Sequence, residues 1–198
     1  MNLPTKITVS RIILSIIIII LMLFPFSEIG IDVPVVRCGI DINSIYIICA
    51  ILFIIASVTD YLDGHLARKL NMVTDLGKML DAIADKLLIN PILIIFASEG
   101  IISPLIPVVL VIRDIIVNAI KMQTASNGKV LAAIYSGKIK TATLMVGTFL
   151  LFINDWPFIY SNIRIDLLLI YFATFMSLVS MVEYYLLNKK YLFLDNKK

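Results

Sequence analysis

Long apolar runs broken by short polar knots set the pattern of this chain. A helix needs roughly 20 predominantly apolar residues to cross the hydrocarbon core of a bilayer. Six segments have that character, at about 8–26, 44–63, 76–98, 105–124, 137–154 and 164–187. The first, with "IILSIIIIILMLF" behind Lys6 and Arg11, has the look of a secretory leader. No small-residue cleavage site follows it, so it is expected to stay as a helix. The polar knots carry the rest of the information. In "DYLDGHLARKLNMVTDLGKMLDAIAD", Asp60 and Asp63 are three apart and share one helix face, and Asp81 and Asp85 are four apart and share another. Gly77 lies four before Asp81, on that second face. Lys69–Thr74, with Asn71, reads as a short turn. Two antiparallel helices with converging acidic faces are the prediction.

Composition turns apolar runs into membrane spans. The chain has 198 residues, of which 60% are hydrophobic and 16% charged, with mean hydropathy +0.99. Soluble domains run about half apolar and about a quarter charged. The expected fold is all-α: one polytopic membrane domain over residues 1–198 with six transmembrane helices. The net charge is +3, but its distribution matters more. With the N-terminus inside, Lys6, Arg11, Arg68, Lys69, Lys121, Lys129, Lys138, Lys140, Lys189, Lys190, Lys197 and Lys198 fall at or near the cytoplasmic side. Arg37 and Arg164 fall outside, beside Glu28, Asp32, Asp41, Glu99 and Asp155. The positive-inside rule therefore places both termini, and the Asp60–Asp85 stretch, at the cytoplasmic face. The scattered basic residues form no nucleic-acid patch. Cys38 and Cys49 lack any metal-like spacing and read as unpaired thiols.

Four carboxylates packed together in low dielectric repel one another, and ionisable groups at membrane depth are costly and usually functional. Cations are the remedy. Oxygen donors with no neighbouring Cys suit a hard ion, Mg²⁺ or Mn²⁺. Gly64, Ala67 and Gly77 leave room for a bulky ligand against the backbone. Arg68 adds a planar cation shaped for phosphate oxygens. Metal, space and a phosphate clamp thus fall together. His65, at a variable place inside this pattern, reads as a bystander. Lys69, Lys78 and Lys86 read as solvated or snorkelling lysines.

The eight positions Asp60, Asp63, Gly64, Ala67, Arg68, Gly77, Asp81 and Asp85 match D-x2-D-G-x2-A-R-x8-G-x3-D-x3-D throughout. This resembles the signature of the CDP-alcohol phosphatidyltransferases. The resemblance implies a six-helix membrane bundle, expected as a homodimer, in a bacterial cell membrane. It implies attack of an acceptor hydroxyl on the lipid-side phosphorus of a CDP-linked lipid, with CMP leaving. Asp60, Asp63, Asp81 and Asp85 would hold two divalent ions, and Asp85 would also be the general base. Gly64, Ala67, Arg68 and Gly77, with Thr74 and Asp75 on the turn before, would line the cytidine and pyrophosphate pocket.

The acceptor is read from elsewhere. Arg113 lies deep in "VVLVIRDIIVNAIK", with Asp114 beside it and Lys121 two turns on. "SGKIKTAT" opens the fifth span with Lys138, Lys140 and Thr141. Together these suit an acceptor that itself carries phosphate. The bland alternatives are an internal ion pair for Arg113 and a positive-inside anchor for the two lysines. "NLPTKITVSRI", the span-four Arg and "GKIKT" are similar to the subgroup of bacterial phosphatidylglycerophosphate synthases, which implies CDP-diacylglycerol and sn-glycerol 3-phosphate as substrates. Two positions depart from that subgroup's usual pattern: Ala82 where Pro is frequent, and Asp114 where Glu is frequent. Other acceptors within the family, namely inositol phosphate, phosphatidylglycerol or serine, form the second reading. A divalent-cation transporter is the remote one, disfavoured because the first span is nearly pure Ile and Leu.

Overall fold

The computed structural model describes the backbone of residues 3–26, 28–37, 41–69, 75–126, 134–158 and 163–192. Side chains are described for 5–26, 28–36, 42–60, 77, 79–125, 134–158 and 163–189. The apolar runs become helices α1 (Leu3–Leu23), α2 (Ser44–Lys69), α3 (Asp75–Ser98), α4 (Leu105–Ser126), α5 (Tyr135–Phe152) and α6 (Ile165–Leu192). Two short strands, β1 (Val35–Arg37) and β2 (Asp41–Asn43), precede α2 as an antiparallel ribbon, with Val36 opposite Ile42. The alternation there is too brief to be read from sequence. Asn43 starts α2 by accepting the Ile45 amide on its side-chain oxygen at 2.9 Å, satisfying one of the orphan donors of a helix start. α1 stops at Leu23, two residues before Pro25, as a proline requires. α3 instead runs on through Pro91.

The core is built from one face of each helix. Phe53, Phe96 and Phe152 meet at its centre, with ring centroids 5.1 Å apart for Phe96 and Phe152 and 5.8 Å for Phe53 and Phe152. Ile18, Ala56, Leu88, Ile92, Leu110 and Ile170 pack around them, all buried. The opposite faces stay apolar: Ile13, Ile20, Ile51, Ile94, Val108, Ile115, Phe175 and Val182 are exposed. So wide an exposed apolar belt is untenable in water and natural in lipid. Two helices, Thr5–Leu23 and Ile165–Lys189, are long and apolar enough on their own to cross a membrane, and Ser44–Asp60 is a shorter apolar helix. The remaining three expected spans fall short on composition because they carry charges within their runs: Asp81, Asp85 and Lys86 on α3, Arg113, Asp114 and Lys121 on α4, and Lys138 and Lys140 on α5.

At the far end from these charges, Asp155 is buried between α5 and α6. Its carboxylate accepts the Ile165 and Asp166 amides, each at 3.0 Å, and so caps α6. Farther along, α5 and α6 come into close contact at Gly147. A Cβ there would stand 3.0 Å from Ile170 Cδ1 and 3.2 Å from Leu169 Cβ. Small residues permit such close helix approach in membranes. Gly147→Val is therefore expected to force the pair apart, at a cost of about 1–3 kcal/mol and a fall in Tm of roughly 2–10 °C. Circular dichroism melts of the detergent-solubilised protein measure it. An unchanged melt would mean that α6 repacks freely.

Candidate active site

α1 contributes the residue that organises the acidic end. Its N-terminal half carries Thr5, Thr8, Arg11 and Ser15 at helical spacing, all buried, before the face turns apolar at Ile18. Arg11 is 0% exposed. A guanidinium is buried at such depth only against compensating charge. Nη1 of Arg11 meets Asp60 Oδ1 on α2 and stands 3.7 Å from Asp85 Oδ1 on α3. Nη2 donates to Asp81 Oδ1 at 2.7 Å. The Asp60, Asp81 and Asp85 side chains remain 29%, 54% and 49% exposed, so each keeps a face open beyond the arginine. The expected convergence of the α2 and α3 carboxylates is present for these three, and Arg11 stands at the point where they converge.

Among the described residues, no three acidic groups stand close enough to enclose one metal ion in this arrangement. The donor chemistry nevertheless fits a hard divalent ion: the three carboxylates are brought to one cationic centre, with carboxylate oxygens the donors on offer. Asp63, Gly64, Ala67 and Arg68 continue α2, and Asp75 opens α3, with their side chains outside the described residues. Thr74 lies outside them altogether, as does most of the expected Lys69–Thr74 turn. Gly77 is half-buried on α3.

A cavity of 710 Å³ opens from this cluster toward α4, α5 and α6. Asp60 and Asp85 line one side of it. Arg113, Asp114 and Lys121 line it from α4, and Lys138, Lys140 and Thr141 from α5. Asp81 is not among its lining residues. All four residues expected to bind an acceptor phosphate thus share one space with two of the expected metal ligands. The roles within this group are unequal. Arg113, 8% exposed, donates from Nε to Ser177 O at 3.2 Å, from Nη2 to Ser180 Oγ, and from Nη1 to Asp114 Oδ1 at 2.9 Å. Lys140 Nζ donates to the same Asp114 oxygen at 3.0 Å. Neighbouring residues on a helix point apart, yet the length of the arginine stem lets Arg113 fold back onto Asp114. The internal ion pair weighed against a binding role is therefore present, and it ties α4 to both α5 and α6. Gly137 leaves space beside it, since a Cβ there would lie 4.0 Å from Arg113 Nη2. Lys138 is exposed, and Lys121 places its ammonium 5.2 Å from the centroid of the Tyr184 ring.

A contributor escaped the pattern reading. Arg11 was counted as a positive-inside charge, although its helical phase with Thr5, Thr8 and Ser15 marks a buried polar face. Asp114 stands beside Arg113 as the partner of an internal ion pair, and the structure adds Lys140 on the same carboxylate oxygen.

Comparison with known proteins shows the family. The family model described as CDP-alcohol phosphatidyltransferase matches residues 1–183. A protein of Bacillus subtilis (strain 168) named CDP-diacylglycerol–glycerol-3-phosphate 3-phosphatidyltransferase is 38% identical over 192 residues, 94% of this chain and 95% of that protein. Proteins of the same name from Wigglesworthia glossinidia brevipalpis and Rickettsia bellii (strain RML369-C) are 35% and 30% identical. The alignments cover 98% of both chains in the first case, and 96% of this chain and 97% of its relative in the second. With a match over nearly its whole length and its carboxylates gathered at one end of an apolar helical bundle, the chain belongs to the CDP-alcohol phosphatidyltransferase family, a family of integral membrane proteins.

Proposed function

We propose that this chain moves the phosphatidyl group of CDP-diacylglycerol to sn-glycerol 3-phosphate, giving phosphatidylglycerophosphate and CMP in phospholipid biosynthesis. The observation that carries the reading is the single cavity in which Asp60 and Asp85 face Lys138, Lys140 and Thr141. The relatives' shared name supports the same substrates. Asp85 takes the proton from the acceptor hydroxyl. The freed oxygen bonds to the lipid-side phosphorus, the bond from that phosphorus to the CMP oxygen breaks, and CMP leaves with the electron pair. Lys138, Lys140 and Thr141 hold the acceptor's phosphate, and Arg113 adds the N–H groups it does not spend on Ser177, Ser180 and Asp114. Against Asp114, Arg113 and Lys140 keep a formal surplus of one positive charge, which suits a phosphate dianion better than a neutral alcohol. Gly64, Ala67, Arg68, Thr74, Asp75 and Gly77 line the cytidine and pyrophosphate end. Two divalent ions, Mg²⁺ or Mn²⁺, held by Asp60, Asp63, Asp81 and Asp85, would offset the pyrophosphate charge and that on the departing CMP.

The placement in the cell belongs to the same proposal. All six helices cross a bacterial cell membrane, and both termini and the site lie on the cytoplasmic side, where CMP and the acceptor are soluble. The uneven distribution of Lys and Arg supports this topology. The chain acts as one domain and pairs as a homodimer, as the family resemblance implies. Purified protein in lipid nanodiscs, supplied with CDP-diacylglycerol and divalent ion, tests the acceptor. CMP should be released with sn-glycerol 3-phosphate and not with serine, inositol phosphate or phosphatidylglycerol. Release with one of the others alone would move the chain to that acceptor.

A further inference from the structure

We propose that Arg11 is a positioning residue for this site: its guanidinium draws the carboxylates of two helices onto one point and holds their charge until a divalent ion takes it over. The inference rests on the reading of Asp60, Asp81 and Asp85 as ion ligands, and deepens it. α1 is otherwise an Ile- and Leu-rich helix, and an arginine that is 0% exposed within it demands a specific partner. Among the described residues it has three, on α2 and α3. Among the described residues, three carboxylates against one guanidinium leave the cluster net negative, a charge that divalent ions would neutralise. An ammonium offers its donors from a single nitrogen. The planar fork of arginine spreads them, and here its two terminal nitrogens address different helices, Nη1 reaching Asp60 and Nη2 reaching Asp81.

This arrangement answers how the acidic end tolerates itself before any ion arrives. Without Arg11, three neighbouring carboxylates would face one another at a partly buried helix junction and push α2 from α3. With it, α1, α2 and α3 are cross-linked at the acidic end. The same contact has a cost for ion binding, because the guanidinium engages Asp81 and stands beside Asp85, carboxylates that would also hold the ion. Arg11 thus sets the affinity of the site from outside the family's acidic motif.

The test uses the full chain in detergent micelles, stripped with EDTA and titrated with Mn²⁺ by calorimetry, with Tm measured before and after. Arg11→Gln should lower the Tm of the ion-free protein, and saturating Mn²⁺ should restore most of that loss. Its Mn²⁺ affinity should rise about tenfold, the size expected when one charge-assisted contact stops competing for the oxygens. Arg11→Lys keeps the charge but not the fork, and should gain less. It carries the test if Arg11→Gln does not fold. Mn²⁺ affinity unchanged or weakened in these variants, with the Tm loss equal with and without the ion, would make Arg11 a packing residue and overturn the proposal alone. A native chain that binds no Mn²⁺ would overturn the ion-site reading along with it.

Discussion

Asp85→Asn is expected to reduce turnover by about a thousandfold, the usual scale for loss of a general base. Affinity for CDP-diacylglycerol should stay within a few-fold of native. The asymmetry within the α3 pair motivates the choice of residue. Asp81 and Asp85 share a helix face, but only Asp85 lines the cavity that also holds Lys138, Lys140 and Thr141. Asp81 is bound to Arg11 at 2.7 Å, while Asp85 stands back at 3.7 Å. Of the two, Asp85 thus shares the cavity with the proposed acceptor residues and is less engaged by the arginine. Asparagine keeps one carbonyl oxygen as a donor and cannot take a proton, so binding and chemistry separate. CMP release, measured under single-turnover conditions beside CDP-diacylglycerol binding, separates the two effects. If binding falls as steeply as turnover, Asp85 is a ligand only and the base must be sought elsewhere.

The acidic motif was legible because spacing alone determines which side of a helix a residue occupies. Asp60, Asp81 and Asp85 converge as their phases on α2 and α3 require. Helix positions were legible for a similar reason, since each helix forms along a predominantly apolar run. The expected segment 76–98 and the helix Asp75–Ser98 differ at a single end by one residue. What charge alone does not show is which side of its helix a residue occupies. Arg11 lies at the acidic end, and its phase on α1 places it inside the bundle among the carboxylates. The β1–β2 ribbon was missed because three-residue strands carry almost no periodic signal. The pairing of Lys140 with Asp114 joins residues 26 apart in sequence and could only emerge once α4 and α5 were packed.

That pairing shapes the second large effect. Arg113→Ala should raise the KM for sn-glycerol 3-phosphate by tenfold or more, on the scale of about 1.5–3 kcal/mol for a hydrogen bond to a charged group. The KM for CDP-diacylglycerol should be little changed. The same substitution removes the donors to Ser177, Ser180 and Asp114 and leaves Asp114 to Lys140 alone. Some stability will therefore be lost with it, and a higher KM by itself could report a loosened α4. Arg113→Lys separates the two. A lysine can reach Asp114 and keep the charge of the cavity, but it cannot satisfy the α6 acceptors and a phosphate together. If Arg113 contacts the acceptor, Arg113→Lys should recover most of the lost Tm while the acceptor KM stays raised. If the residue serves only to join α4 to α6, KM should return toward native in step with Tm. A rise confined to the KM for the CDP-lipid would contradict the acceptor assignment and place Arg113 at the nucleotide end of the cavity. KM follows affinity here only if chemistry is slower than acceptor release, so single-turnover rates at varied acceptor concentration are the measurement to make.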